Sequence, residues 1–245
     1  MSFVRLAENI PGIGWLFRAL SSSVGQKLVM AVTGLLLCGF LVAHLGGNIL
    51  LFVGKENYND YAHTLHKNEW LLRIAEVGLV SLFFSHVYLA LSTTAMNKKA
   101  RKDAYMSSES KQGMTILPGG GASSYMFVTG AIVLGFVLLH LVDFTFEWRP
   151  DVDYSKFTMK DDSGHVVADA FTKAKHLLSN PLSGLVYIIG CAALGIHLVH
   201  GFRSALTTLG LGHPKYNTLV RMVSMAFGWA IGIGFISFVF WSWAT

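Results

Sequence analysis

The sequence predicts an all-α membrane protein, with five transmembrane helices forming a bundle. Two observations predict the bundle. Hydrophobic residues make up 53% of the 245-residue chain and charged residues only 13%, where a soluble domain carries roughly a quarter charged. Five apolar stretches, 28–53, 71–96, 124–147, 182–208 and 219–244, each reach the ~20 residues a helix needs to cross hydrocarbon. A helix satisfies its own backbone amides, as lipid requires, so residues 1–245 read as a single membrane domain. A third observation gives the bundle a use. His44, His86, His140 and His197 each lie deep inside a different span, and ionisable groups in hydrocarbon are costly and mark function.

The elements follow in order. Residues 1–22 alternate apolar positions such as Phe3, Leu6, Trp15 and Phe17 with polar ones around Pro11-Gly12, which predicts an interfacial segment lying on the membrane surface. Ser21, Ser22 and Ser23 offer caps for the first span. That span begins after Lys27 and is too long for a signal peptide, so it reads as a retained helix. Residues 54–70, GKENYNDYAHTLHKNEW, form a polar and aromatic loop. Residues 97–123 are basic, then rich in Gly and Ser, and 149–181 is a long loop with acids at its start. Pro181 suits the first turn of the fourth span. The last span ends in Phe238, Phe240, Trp241 and Trp243, an aromatic belt. Cys38 and Cys191 both fall inside spans, which argues against a disulfide framework or a cysteine metal site and for packing roles. No internal repeat, dinucleotide fingerprint, phosphate loop or Ser-His-Asp arrangement is read.

Lys and Arg in the short flanks set orientation. Eleven of the 19 basic residues fall on the side holding the N-terminus, the 97–123 loop and the 209–218 turn, and eight on the other, which also holds Asp151, Asp153, Asp161, Asp162 and Asp169. The first side is therefore expected in the cytoplasm. The net charge of +5 serves orientation and membrane lipid. With no basic patch interleaved with exposed aromatics, it gives no support for a nucleic-acid partner.

At 1.5 Å per residue, His44 and His140 lie roughly 25 and 22 Å from the cytoplasmic end, and His86 and His197 roughly 15 and 16 Å. A haem iron needs two axial ligands at one depth. Depth pairs His44 with His140 and His86 with His197, giving two stacked haems. His200, one turn after His197, stands near enough to touch the same cofactor. Haem propionates need donors near the surface. Ser23, Gln26, Lys27, Arg203 and His200 are candidates at the cytoplasmic end, and Arg73 at the outer end, with snorkelling as the bland alternative for the charged ones.

These residues resemble the cytochrome b membrane anchor of succinate:quinone oxidoreductases (succinate dehydrogenase and fumarate reductase), in its single-chain, five-helix, di-haem form. The likeness covers nearly the whole chain. It rests on SVGQKLVMAVTGLLLCGFLVAHLGGN over 23–48, on Tyr58-Asn59-Asp60-Tyr61-Ala62-His63, on His86 and His140, and on His197-Leu198-Val199-His200-Gly201-Phe202-Arg203-Ser204. The family's glycine four residues after its ligand picks His197 over His200. The resemblance implies two haem b groups, docking of a flavoprotein subunit and an iron–sulfur subunit on the cytoplasmic face, and electron transfer to a quinone in the respiratory chain, with menaquinone expected. The chain itself would contribute electron transfer and quinone chemistry and no other catalytic residue. A single five-span chain points to a bacterial cytoplasmic membrane, and a higher oligomer of the complex is left open. Some members carry a glutamate two residues before the fourth ligand. Here that position is Gly195, so that proton route is not expected.

A quinone pocket is expected near the outer haem, around Asn48, His63, His66, Glu69 and Arg73, because quinone chemistry needs titratable groups close to water. Two other readings stand beside the leading one. A cytochrome b of another membrane dehydrogenase, of hydrogenase or formate dehydrogenase type, usually crowds its ligands onto fewer spans. A haem-free anchor would show no haem spectrum, and a transporter should show broken helices or repeated halves.

Overall fold

Five apolar runs become five long helices, because in them each backbone amide is bonded within its own segment. The computed structural model describes residues 14–100, 122–160 and 163–245. Helix α1 is Gly14–Ser21. Helices α2 (Ser23–Asn48) and α3 (Leu50–Val53) together form the first span. Then come α4 (Lys55–His66), α5 (Glu69–Ala100), α6 (Ala122–Leu141), a short hairpin of β1 (Thr158–Lys160) and β2 (Val166–Ala168), α7 (Ala170–Ser179), α8 (Pro181–Leu206) and α9 (Asn217–Ala244). The five helices long and apolar enough to cross a membrane are Ser23–Val53, Glu69–Lys99, Tyr125–Phe146, Pro181–Leu211 and Asn217–Ala244. The chain is thus an all-α, multi-pass membrane bundle, with 85% of the described residues helical. The readings of residues 1–13 and of most of the basic, glycine-rich loop lie outside the described residues.

Local chemistry explains the helix starts. Ser22 caps α2, accepting from Gly25 N at 3.0 Å. Asn180 caps α8, accepting from Leu182 N and Ser183 N, with Pro181 opening the helix. The chain between the first two spans is not a loop but α4. The longest connection also folds, with β1 and β2 antiparallel (Met159 opposite Val167) leading into α7. Tertiary bonds make a helix from the polar 55–66 segment. Asn59, 1% exposed, donates to Asp169 Oδ1 at 3.0 Å and accepts from Phe171 N at 2.9 Å. These elements cap one end of the bundle, over a cluster of Leu51, Ala174, Leu178, Tyr187, Phe238 and Val239.

Half of the apolar window of α8 is buried by protein, against 6% for α5 and for α6. Helix α8 is therefore the central one. It meets α9 backbone to backbone. A Cβ on Gly228 would lie 2.6 Å from Val199 Cγ2 and 2.7 Å from Gly195 O. A Cβ on Gly195 would come within 3.1 Å of Gly228 O and 3.3 Å of Gly232 Cα. Small residues let membrane helices approach this way, and a side chain at 195 would press on the α9 backbone. Cys38 and Cys191 are buried free thiols; Cys38 packs with Leu194, Leu198 and Ile231.

Gly228→Leu should separate α8 from α9, costing on the order of 1–3 kcal/mol or more and lowering the thermal unfolding midpoint in detergent. Gly78→Ala, at a site with open space around it, should leave that midpoint unchanged. Equal midpoints for both variants would contradict the packing.

Candidate functional site

Two intramembrane histidines meet ring to ring. His44 of α2 and His140 of α6 have ring centres 5.9 Å apart and planes at 82°. Phe40 stacks on His44 at 5.3 Å, and Phe235 of α9 lies 5.6 Å from it. Phe144 and Tyr187 lie 5.0 and 6.1 Å from His140. The Asn48 amide donates to the His44 carbonyl at 2.8 Å and accepts from Tyr58 Oη at 3.2 Å. Burial, and then neighbouring Tyr61, push the Tyr58 hydroxyl up to about 12, so it remains a donor.

His86 of α5 and His197 of α8 form the second pair, within electrostatic reach of each other. Each is held by a threonine. Thr33 Oγ1 lies 3.4 Å from His86 Nδ1, and Thr129 Oγ1 lies 3.3 Å from His197 Nδ1. Both hydroxyls already donate within their own helices, Thr33 to Met30 O at 3.1 Å and Thr129 to Tyr125 O at 2.8 Å. A hydroxyl has one hydrogen, so where that hydrogen goes to the helix carbonyl, the oxygen is left to accept from a histidine protonated at Nδ1. That tautomer leaves a lone pair on Nε2, and such an acceptor is how a second sphere orients a ligating imidazole. Glycines complete the seats. A Cβ on Gly34 would come to 3.2 Å from His86 Cε1, and one on Gly130 to 3.4 Å from His197 Cε1.

The threonines expose a repeat that the sequence analysis missed. Val32-Thr33-Gly34, Gly39-Phe40 and His44 recur as Val128-Thr129-Gly130, Gly135-Phe136 and His140, every position displaced by the same 96 residues. The roles recur as well. In both copies Thr and Gly seat a histidine of the next span, Phe packs beside the copy's own histidine, and that histidine joins the first pair. The bundle is two like halves, α2 with α5 and α6 with α8. Each half gives one histidine to each pair, and α9 stands outside the repeat. The fixed spacing was legible in the sequence and identifies Thr33 and Thr129 as site residues.

Asp143 was also missed, although an acid three residues after an intramembrane histidine is itself a signal. It lies in the first turn of a π-helical segment, Val142–Phe146, that follows α6. Such turns are frequent at functional sites. Its side chain has no exposure at all. Arg149 Nη1 donates to Asp143 Oδ1 at 3.1 Å, and Tyr187 Oη donates to Oδ2 at 2.9 Å. Arg149 also bonds Ser183 at 2.5 Å and Asp151 at 3.1 Å. Burial would lower the Arg149 guanidinium, but its bonds and charges to Asp143, and then to Asp151, outweigh this and raise it above its ordinary value.

The remaining candidates are scattered. Gln26 is engaged at both ends of its amide, by Ser92 Oγ at 2.9 Å and by Ser21 O at 3.1 Å, tying α2 to α5. Ser23 and Lys27 are exposed in the first turns of α2. His200 is within electrostatic reach of His197 and Arg203. Of the quinone set, Asn48 serves His44 and Tyr58, His63 Nε2 bonds Ala168 O at 2.9 Å, and His66 Nδ1 bonds Ala62 O at 2.7 Å. Glu69 is exposed at the start of α5, and Arg73 pairs with Glu76 at 2.8 Å. No hydrogen bond or ion pair among the described residues joins any two of Asn48, His63, His66, Glu69 and Arg73.

Among the described residues no three of His, Cys, Asp or Glu gather to hold a metal ion. Two facing imidazoles suit a metal whose other ligands come with it in a ring. Comparison of the chain with family models, with curated proteins and with solved structures finds no match.

The cap over the first pair is held by charge. Burial would raise the Asp169 carboxyl, but bonds from Lys55 (2.6 Å), Asn59 and Thr172 outweigh it and bring it down to about 2. A depressed carboxyl stabilises the fold above its unfolded value of about 3.9 and loses that contribution as pH falls through the folded value. Protection of the α7 amides, taken relative to their intrinsic exchange rate at each pH, should therefore fall between about pH 4 and pH 2. Asp169→Asn should show fast exchange already at neutral pH and lose that acid step. An acid step that persists in Asp169→Asn would place its origin elsewhere.

Proposed function

We propose that the chain is the di-haem cytochrome b membrane anchor of a succinate:quinone oxidoreductase, carrying electrons between an iron–sulfur subunit and membrane quinone, with menaquinone the expected partner. One observation carries the proposal: four intramembrane histidines fall into two pairs, each taking one residue from each half of a repeat.

The residues fit the group. Metal–imidazole bonds of about 2 Å put the ring centres of two axial histidines roughly 6 Å apart, and His44 and His140 stand at 5.9 Å. At the second pair, Thr33 and Thr129 stand where they can accept from Nδ1–H, the tautomer that would leave Nε2 free to ligate. Bound haem supplies a one-electron couple. The chain supplies the rest. Helices α2, α5, α6 and α8 fix the ligands in depth, and aromatic residues exclude water around the first pair. The threonine and glycine seats favour His197 over His200 as the ligand. Arg203, His200, Lys27 and Ser23 would serve the propionates at the end holding the C-termini of α5 and α8, and Arg73 would at the other.

In the bacterial cytoplasmic membrane, the N-terminal side with Lys98 and Lys99 faces the cytoplasm and receives the flavoprotein and iron–sulfur subunits. The capped end faces outward. A quinone headgroup there needs proton exchange. His66 and Glu69 at the α4–α5 corner remain exposed for it, while Asn48 and His63 are engaged in the cap.

Reduced-minus-oxidised spectra of histidine variants test the pairing. His44→Ala and His140→Ala should lose the same haem, and His86→Ala and His197→Ala the other. The double variant His44→Ala/His140→Ala should lose no more than either single one, and His200→Ala should keep both haems. Thr129→Val should weaken haem retention about 10–100-fold, with Thr129→Ser restoring it. Loss of different haems from His44→Ala and His140→Ala would contradict the pairing. Co-purification with a flavoprotein and an iron–sulfur protein, with quinone-linked turnover of succinate or fumarate, tests the assignment to that complex.

A further inference from the structure

Asp143 is a fully buried carboxylate in an apolar span, one turn beyond His140. Its structural work, joining α6 to α8, does not require charge. Buried ion pairs are often replaceable by uncharged residues without loss of stability. Its position suggests why the charge is kept. Tyr187 touches both neighbours, with its ring 6.1 Å from the His140 ring and its hydroxyl 2.9 Å from Asp143 Oδ2. In a poorly polarisable interior, charges at such separations act strongly on one another.

We infer that the Asp143–Arg149 pair, coupled through Tyr187, sets the reduction potential of the haem held by His44 and His140. The inference rests on the di-haem reading. Reduction adds one electron at the site. A nearby carboxylate opposes that electron and a nearby guanidinium favours it. Arg149 is pinned by Asp143, Ser183 and Asp151 together, so the opposing charge cannot swing away. The neighbouring Lys173–Glu147 pair, at 2.7 Å, has a half-exposed carboxylate and is more screened. Arginine does not release its proton, so the chain from Tyr187 to Asp151 is a fixed electrostatic element and not a proton wire. Asp143, Arg149 and Tyr187 are positioning residues, since none ligates the iron.

A redox titration of the purified full chain, followed at the haem absorption bands, tests this. Asp143→Asn, nearly the same shape without the charge, should move one of the two midpoints positive. Arg149→Gln, which leaves the carboxylate unanswered, should move the same midpoint negative. The other midpoint, assigned by its loss in His86→Ala, should stay in place in both. A purely structural role would not give opposite signs. Unmoved midpoints in Asp143→Asn, shifts of one sign in both variants, or movement confined to the His86–His197 haem would each overturn the inference. Should Arg149→Gln not assemble, Asp143→Asn decides alone. Two haems with unmoved midpoints would overturn this inference only; a wild-type chain without haem would overturn the di-haem reading and this inference with it.

Discussion

Hydrocarbon offers a polar group nothing to bond to, so every polar atom inside a span must be answered by protein. The described bundle is organised around that demand. His86 and His197 are answered by threonines of a neighbouring helix, and Asp143 by Arg149, Tyr187 and, through Arg149, Ser183. The Asn48 amide folds back onto the His44 carbonyl. Each answer crosses from one helix to another or fixes a residue of a histidine pair. The bonds that make the polar groups tolerable are therefore the same bonds that set their geometry.

The two-half arrangement follows from this economy of contacts. A Thr-Gly step places an acceptor and a gap side by side, and the next span fills the gap with an imidazole. Doing this twice, 96 residues apart, gives two hairpins, each with one histidine at either depth. The fifth helix has a different task. It lies against α8 through Gly195, Gly228 and Gly232 so closely that even a methyl at 195 would press on the α9 backbone. A fully buried charge lies instead at Asp143, three residues beyond His140.

Much of this was legible in the sequence, because hydropathy and helical rise are local properties. The five spans, the cap at Ser22, the proline start of α8 and the histidine placement all follow from residue type and spacing. The 96-residue repeat was equally visible, in Val32-Thr33-Gly34 and Val128-Thr129-Gly130, and was overlooked because only a few positions match within otherwise generic apolar text. What was not legible depends on long-range bonding. The 55–66 segment reads as a polar loop until Asn59 meets Asp169 and Phe171, more than a hundred residues away. Arg149 reads as a flank charge until it reaches back to Asp143 and across to Ser183. The titratable groups near His66 looked like a pocket by proximity in sequence, but their hydrogen bonds run to separate partners.

The central claim is that two imidazole pairs hold two haems in one chain. The most direct measurement is the haem content of the purified, full-length protein by pyridine haemochrome assay, set against protein by amino-acid analysis. The account predicts two haem b per chain. One haem per chain, or none, would contradict it.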